Sequence, residues 1–208
     1  MIEGHLDMNL RQWIRKYQKL IVGEQITYRG VTTLKNVLDL WIYQEIVHET
    51  RPDVVIEIGT RYGGSALWLA DLLGVVGHGR VVTIDIAHPG VEFPERIRFV
   101  HGNSVDPAVV TAVAADCAGA RAMVIADGDH SAAHVREELE AYCSFVAPGC
   151  YYVVEDAIVD VMGWKHLVPG PGPAVADFLA AHDEFTADRD REKFILTYNP
   201  GSFLRRTR

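Results

Sequence analysis

The sequence predicts an α/β fold, a doubly wound Rossmann-like sheet of about seven strands whose last strand is antiparallel, preceded by N-terminal helices. From residue 54 onward, short apolar runs rich in β-branched residues alternate with stretches of helical periodicity. Such alternation is typical of a parallel sheet with helices on both faces. Near the C-terminus, two further apolar runs flank a turn sequence, which indicates an antiparallel pair of strands at the end of the sheet.

Residues 1–50 are predicted to form an N-terminal helical segment and residues 51–208 the sheet domain, the two packing as one compact unit. Apolar residues recur every three or four positions in two stretches of the N-terminal segment, from Leu10 to Leu20 and from Leu34 to Ile46. The second pattern stops just before Pro52, where a helix is expected to end.

The strands and helices of the sheet domain are predicted from their apolar runs and their helical periodicity. The five parallel strands are predicted at Val54–Ile58, Val81–Ile86, Ile97–Val100, Met123–Ala126 and Tyr151–Val154. Helices are predicted at about 64–73, 107–116, 131–146 and 174–182. The last two strands are predicted at Phe194–Tyr198 and Ser202–Leu204, paired around the turn sequence Asn199-Pro-Gly201.

Composition narrows the class of protein. Of 208 residues, 49% are hydrophobic and 23% charged, which is typical of a soluble globular domain. The net charge of −8 disfavours nucleic-acid binding, because phosphate contacts need clustered basic residues. Neither a long apolar span nor a signal peptide is apparent, and the three cysteines lack metal-site spacing. We therefore expect a cytoplasmic homo-oligomer that binds neither nucleic acid nor membrane.

A glycine-rich turn follows the first predicted strand and contains Gly59, Gly63 and Gly64. In open α/β sheets, ligands bind beyond the carboxyl ends of the strands, and glycines there allow close approach to the backbone. The spacing G-x-x-x-G-G differs from the dinucleotide pattern G-x-G-x-x-G. Glu57, at the end of the strand, suits a cationic ligand such as the amino group of a methionine moiety and would be a poor neighbour for pyrophosphate.

Two more residues extend this predicted nucleotide site. Asp85 ends the second strand about 21 residues beyond Gly64, where α/β nucleotide sites place the carboxylate that accepts ribose hydroxyls. Ser104, after the third strand, is placed to flank an adenine. We therefore predict an S-adenosylmethionine site formed by eight residues: Glu57, Gly59, Thr60, Gly63, Ser65, Asp85, Ser104 and Asp127.

The fourth and fifth predicted strands end in acidic residues. Asp127 follows the fourth strand, and Glu155 and Asp156 follow the fifth. Carboxylates gathered in one cleft favour a cation, and Mg²⁺ prefers oxygen ligands. We predict that these three residues hold Mg²⁺, which would help a bound hydroxyl to lose its proton. His130, three residues past Asp127, is the candidate general base, with Asp129 either orienting it or joining the metal ligands.

At this point the chain resembles the cephalosporin hydroxylase-like methyltransferases, a group that also contains metal-dependent sugar O-methyltransferases of macrolide and other antibiotic pathways. The resemblance covers roughly residues 25–206. It rests on the motifs at 39–45, 57–66, 127–130, 149–156, 169–173 and 197–201.

The resemblance implies a class I methyltransferase fold and methyl transfer from S-adenosylmethionine to a hydroxyl of a small molecule, such as a natural-product sugar. In the family, an aspartate after strand four and an acidic pair after strand five hold magnesium, positions that match Asp127, Glu155 and Asp156. In its sugar methyltransferases, a histidine three residues past that aspartate is the proposed base, which matches His130; Asp127 and His130 are thus the implied catalytic residues.

Two alternatives remain open from the sequence. The chain could be a catalytically silent partner that binds S-adenosylmethionine beside a biosynthetic enzyme, or a nucleotide-dependent oxidoreductase. The absence of G-x-G-x-x-G and the additional acidic residues argue against the oxidoreductase. The segment from about Asp160 to Pro173, which contains Gly163, Trp164 and a Pro/Gly run, is predicted to be a mobile cover over the acceptor.

Overall fold

The computed structural model describes residues 2–23 and 25–208, and within them seven strands form one mixed sheet. These strands are β3 (Val54–Ile58), β4 (Arg80–Asp85), β5 (Ile97–His101), β6 (Ala122–Ala126), β7 (Tyr151–Val154), β8 (Phe185–Ala187) and β9 (Phe203–Arg206). Two short strands, β1 (Thr27–Tyr28) and β2 (Val31–Thr32), form a separate antiparallel hairpin near the N-terminus.

Helices lie between the strands and at the N-terminal end of the chain. They are α1 (Leu10–Tyr17), α2 (Val37–Thr50), α3 (Gly64–Val76), α4 (Pro107–Cys117), α5 (Ala132–Tyr142), α6 (Ile158–Met162) and α7 (Pro171–Ala181). A π-helical turn at Gln18–Val22 continues α1. None of the helices in the described ranges combines the length and the apolar character needed to cross a lipid bilayer.

The sheet has the order β5-β4-β3-β6-β7-β9-β8. The first five strands are parallel, whereas β9 runs antiparallel to both of its neighbours, β7 and β8. The predicted class I methyltransferase sheet is therefore confirmed. The five parallel strands lie within one residue of their predicted bounds, because buried parallel strands are apolar almost throughout and stand out in a sequence.

The prediction of a strand at Phe194–Tyr198 is wrong. The partner of β9 is β8, and residues 194–198 form an irregular connection. The backbone N–H of Tyr198 donates to the Asp39 carboxylate at 2.8 Å, and the Tyr198 carbonyl accepts from the N–H of Ile158 at 3.0 Å. These bonds direct the segment toward α2 and α6, so its backbone groups are not available to a strand ladder.

The prediction that the first fifty residues are helical holds only in part. The β1–β2 hairpin interrupts the helices, and α2 begins at Val37 rather than near Leu34. Asn36 sets this start, because its side chain accepts a hydrogen bond from the N–H of Leu38 at 3.3 Å. Ile42, Tyr43, Ile46 and Val47 of α2 are buried in the core of the sheet domain.

Two helix bounds also differ from the predictions. α5 ends at Tyr142 and gives way to a 3₁₀ turn at Cys143–Phe145, so the predicted helix over 131–146 is too long. α7 begins at Pro171 rather than at residue 174. The carboxylate of Asp160 explains this earlier start, since it accepts hydrogen bonds from the N–H groups of Gly170 and Gly172 at 2.8 Å each.

Candidate active site

Four neighbouring strands, β4, β3, β6 and β7, are in register at their carboxyl ends. Ile58 of β3 pairs with Ile84 of β4 on one side and Ala126 of β6 on the other, and Ala126 pairs with Val154 of β7. The residue after each strand therefore faces the same edge of the sheet. This register brings the predicted cofactor residues after β3 and β4 next to the predicted metal residues after β6 and β7.

Gly59 lies between the predicted cofactor residues and the predicted metal residues, at the point where the strand order reverses. It has φ +96°, and a Cβ atom there would lie 2.0 Å from the carbonyl oxygen of Asp127. The N–H of Asp127 in turn donates to the carbonyl of Ile58 at 2.8 Å. Only glycine allows this approach, so Gly59 fixes the position of Asp127 relative to the glycine-rich turn.

Glu57 is fully buried below the turn. One of its carboxylate oxygens accepts a hydrogen bond from the Thr83 hydroxyl at 2.6 Å, and the hydroxyls of Thr83 and Thr60 are 2.7 Å apart. Within residues 2–23 and 25–208, its other oxygen, Oε1, has no hydrogen-bond partner. Burial raises the pKa of Glu57. A buried acceptor without a donor fits a cationic ligand group.

The glycine-rich turn is covered by two segments of the chain. A Cβ atom on Gly64 would lie 2.0 Å from the Thr33 hydroxyl oxygen, and one on Gly63 would lie 2.9 Å from the ring of Phe93. Between the turn and this cover lies a small pocket. The pocket is lined by residues that include Thr33, Lys35, Thr60, Ser65 and Asp127.

Asp85 and Ser104 occupy different surroundings. Asp85 ends β4 beside the turn, and its carboxylate accepts from the N–H groups of Arg61 at 2.7 Å and Ala87 at 2.9 Å. The Ser104 hydroxyl instead donates to the buried carboxylate of Glu138 at 2.6 Å, with His134 at 3.2 Å. Ser104 therefore binds α5 through its hydroxyl, whereas Asp85 remains half-exposed at the edge of the sheet.

Asp127, His130 and Asp156 form the group that the structure brings closest together, with one ligand atom from each within 4.8 Å of the others. The His130 Nε2 atom lies 3.3 Å from Oδ2 of Asp156 and 3.8 Å from Oδ1 of Asp127. Burial alone would lower the pKa of His130, but the charges of Asp156 and Asp127 raise it. Burial raises the pKa of both aspartates.

Glu155 is bound by Lys35, a residue that sequence reasoning missed. The Lys35 ammonium donates to Glu155 Oε1 at 2.5 Å and to Oδ2 of Asp127. Burial raises the pKa of Glu155 to about 7, the Asp127 charge adding to the shift and Lys35 opposing it. Burial would lower the pKa of Lys35, yet Asp127 and Glu155 raise it.

Asp129 lies outside the group. Its side chain is exposed and accepts the N–H of Ser131 at 2.7 Å, just before the start of α5. That hydrogen bond is the main reason why the pKa of Asp129 lies below its usual range. The structure therefore places Asp129 as a turn residue rather than as a partner of the His130 ring.

A buried polar network supports Asp156 from the opposite side. Asp156 has φ +62°, which is uncommon for a residue other than glycine, and its N–H donates to the Asn199 side chain at 3.2 Å. The Asn199 amide also donates to the hydroxyl of Tyr43 at 2.8 Å. Asp39 completes the network, because its carboxylate accepts from Thr197 at 2.6 Å. The motif at 197–201 therefore holds Asp156 in position.

Comparison with solved structures agrees with the fold. A cmcI structure described as holding Mg and SAM aligns with a TM-score of 0.71 at 21% identity, covering 98% of this chain and 86% of that chain. The MycE methyltransferase from the mycinamycin biosynthetic pathway, in complex with Mg and SAH, aligns with a TM-score of 0.57 at 22% identity. That alignment covers 80% of this chain and 48% of the MycE chain.

Sequence comparison identifies the family. The Rhamnosyl O-methyltransferase of Mycobacterium tuberculosis (strain ATCC 25618 / H37Rv) is 32% identical over 212 residues, which cover 95% of this chain and 85% of that protein. The Rhamnosyl O-methyltransferase of Mycobacterium leprae is 30% identical over 218 residues, or 98% and 93% of the two chains. The family model described as Rhamnosyl O-methyltransferase/CmcI matches residues 21–207, which confirms the resemblance seen in the motifs. The chain therefore belongs to the Rhamnosyl O-methyltransferase/CmcI family and is a methyltransferase.

Proposed function

We propose that this protein transfers a methyl group from S-adenosylmethionine to a hydroxyl group of a sugar on a small molecule, with Mg²⁺ bound beside the acceptor. The observation that carries the proposal is the grouping of Asp127, His130 and Asp156 at the same sheet edge as the glycine-rich turn. Donor, metal and base would thus share one edge of the sheet.

For the methyl donor, the proposal rests on two acidic residues at the ends of neighbouring strands, on either side of the glycine-rich turn. Glu57 offers an unpartnered buried carboxylate oxygen to the amino group of the methionine moiety. Asp85, at the end of the next strand, is placed to accept hydrogen bonds from ribose hydroxyls. Thr60, Gly63 and Ser65 would line the space between them. Ser104 is a weaker candidate, since its hydroxyl already binds Glu138.

For the metal, the chemistry of the donor atoms fits a hard cation. Asp127 and Asp156 present carboxylate oxygens to a common point, and both remain partly accessible. Glu155 stays the proposed third carboxylate, although its carboxylate binds Lys35 in the structure. Mg²⁺ bound here would lower the pKa of an acceptor hydroxyl and fix its orientation.

The residues of the chain would perform the proton transfer. His130 Nε2, held between Asp127 and Asp156, would take the proton of the acceptor hydroxyl. The hydroxyl oxygen would then form a bond to the methyl carbon while the carbon–sulfur bond breaks and its electron pair remains on sulfur. The two aspartates would stabilise the positive charge that the imidazole gains.

The acceptor class follows from the relatives. Two proteins at 30–32% identity are named Rhamnosyl O-methyltransferases, and they align over nearly the whole chain. A rhamnosyl sugar on a small molecule is therefore the acceptor to test first. An intermediate of natural-product or antibiotic biosynthesis would supply such a sugar. Cytoplasmic location and a homo-oligomeric state are retained as proposals from the sequence.

Turnover with a defined acceptor tests the proposal. Purified protein, S-adenosylmethionine and Mg²⁺ are incubated with a rhamnosylated phenol and, as a control, with the same phenol without sugar. We expect methylation of the sugar only, loss of turnover in excess EDTA, and recovery with added Mg²⁺. Asp127→Ala and Asp156→Ala should behave like the chelated enzyme, whereas Asp177→Ala, an exposed partner of Arg136, should not.

Two outcomes would contradict the proposal. Full turnover in excess EDTA would remove the metal from the reaction. Binding of S-adenosylmethionine without turnover on any hydroxylated acceptor would instead favour the silent-partner alternative. The oxidoreductase alternative is not retained, because the family model and both relatives are methyltransferases.

A further inference from the structure

Lys35 is the buried cation of the acidic site. Its side chain is 4% exposed, and it reaches the site from the short segment between β2 and α2. The ammonium binds Oε1 of Glu155 at 2.5 Å and Oδ2 of Asp127. The two carboxylates are separated from Lys35 by 92 and 120 residues in the sequence, so only the fold brings the three groups together.

Asp127 divides its two oxygens between two cationic groups. Oδ2 binds Lys35, whereas Oδ1 faces His130, together with the carboxylate of Asp156. Oε1 of Glu155 binds the same ammonium. As a result, the set of groups close enough to share a metal ion contains Asp127, His130 and Asp156 but leaves Glu155 out.

An ammonium group and a divalent ion are both attracted to these carboxylates by their positive charge. Each neutralises buried negative charge, so the positive charge of Lys35 beside Asp127 and Glu155 weakens the attraction of these carboxylates for a divalent ion. The side-chain exposures of Asp127 and Glu155 are only 17% and 7%, so solvent screens the competition weakly. A buried lysine at this position therefore opposes metal binding while stabilising the site without metal.

We propose that Lys35 is a positioning residue that competes with the divalent cation for Asp127 and Glu155. It binds Asp127 and Glu155 together and keeps the acidic site folded when no metal is bound. Metal affinity is thereby set below the value that three free carboxylates would give. This inference rests on the proposed metal role of the site.

The test compares Lys35→Met with Lys193→Met, which removes an exposed lysine paired with Glu45 at 2.5 Å. Mn²⁺ binding is measured by calorimetry, and thermal unfolding is followed in EDTA and in Mn²⁺. We expect Lys35→Met to bind Mn²⁺ about tenfold more tightly than the parent, because a nearby like charge is gone. Lys35→Met should also unfold at a lower temperature than the parent in EDTA, and Mn²⁺ should restore its unfolding temperature. Lys193→Met should match the parent in Mn²⁺ affinity and in unfolding temperature.

Lys35→Gln keeps a hydrogen-bond donor without the charge, and the same gain in affinity is expected of it. If both variants fold only in Mn²⁺, the role of Lys35 as the counter-ion is supported. A parent that binds Mn²⁺ while both folded variants bind it equally or more weakly would overturn the inference and leave the proposed function intact. If neither the parent nor the variants bind Mn²⁺, the metal role in the proposed function is wrong, and the competition is wrong with it.

Discussion

Four carboxylates in the site are chemically similar but have different partners, and we infer different roles from those partners. Asp127 and Asp156 face His130, whereas Glu155 faces Lys35 and Asp129 closes a turn. All four are carboxylates near the ends of neighbouring strands, and their surroundings alone distinguish them. Across residues 2–23 and 25–208, His130 is the one titratable base that contacts both aspartates, so the proposed proton transfer can be tested on a single residue.

Replacement of His130 by alanine should lower kcat/KM by about 10²–10⁴, the usual effect of removing a general base. The parent needs a neutral imidazole as the base, so its rate should fall as the pH drops and the imidazole of His130 becomes protonated. The residual rate of His130→Ala should instead keep rising with pH, because hydroxide then removes the proton of the acceptor hydroxyl in place of His130.

The measurement is the pH dependence of kcat/KM for the parent, His130→Ala and His48→Ala, an exposed histidine of α2. His48→Ala should keep the profile of the parent. If His130→Ala retains both the rate and the acidic limb of the parent, the proton leaves by another route, and His130 is not the base.

At the scale of elements, the β1–β2 hairpin and the residues after it form a cover on the first turn of α3. The cover is in direct contact with the helix, since a Cβ atom on Gly64 would lie 2.0 Å from the Thr33 hydroxyl and 2.5 Å from the Thr32 carbonyl. The hydroxyl of Tyr28 also donates to Asp71 of α3 at 2.9 Å. This cover carries Lys35 into the acidic site.

Two glycines of the same helix provide a matched pair of substitutions. Gly64→Ala should displace the cover, lower stability by about 1–3 kcal/mol and weaken S-adenosylmethionine binding. Gly74 has open space around it, so Gly74→Ala should stabilise the protein by about 0.5–1 kcal/mol without affecting the ligand. Urea unfolding and calorimetry measure both effects. Unchanged ligand binding in Gly64→Ala would show that the cover plays no part in the site.

The sequence made some elements predictable and others not, for physical reasons. The strand at Val54–Ile58 was recognisable because a fully buried parallel strand is apolar almost throughout, and here only Glu57, the proposed ligand of the methyl donor, is polar. The apolar run at 194–198 has the same appearance but is fixed by a hydrogen bond to Asp39, about 160 residues earlier, which no local pattern reveals. Lys35 escaped prediction for the same reason.

At the scale of the whole molecule, the proposed donor site and the segment predicted to cover the acceptor are formed by different elements. The glycine-rich turn follows β3, whereas the segment predicted to cover the acceptor follows α6. Asp160 ties residues 170 and 172 to α6, and backbone hydrogen bonds also join Trp164 to Val159 and Pro169 to Ala132. Trp164 packs against a small apolar cluster that includes Ile14 and Tyr198.

Because its segment is predicted to cover the acceptor, replacement of Trp164 by alanine should affect the acceptor and spare the donor. We expect KM for the sugar acceptor to rise about tenfold, because an aromatic contact is lost, while the Kd of S-adenosylmethionine stays within about twofold. Trp41→Ala serves as the control, since Trp41 is 59% exposed on α2. An equal loss of both affinities would indicate that Trp164 supports the fold rather than the acceptor.

The position of β9 has a consequence for the order in which the sheet can assemble. It lies between β7 and β8, and across the described strands β8 pairs with β9 alone. A ribosome releases β8 before β9, so the earlier strand stays without a partner until the later one has been synthesised. The outer edge of the sheet is thus completed last, although the residues of β8 are synthesised before those of β9. During that interval the nascent chain exposes unpaired strand edges, which is the stage at which a chaperone would protect it most from aggregation.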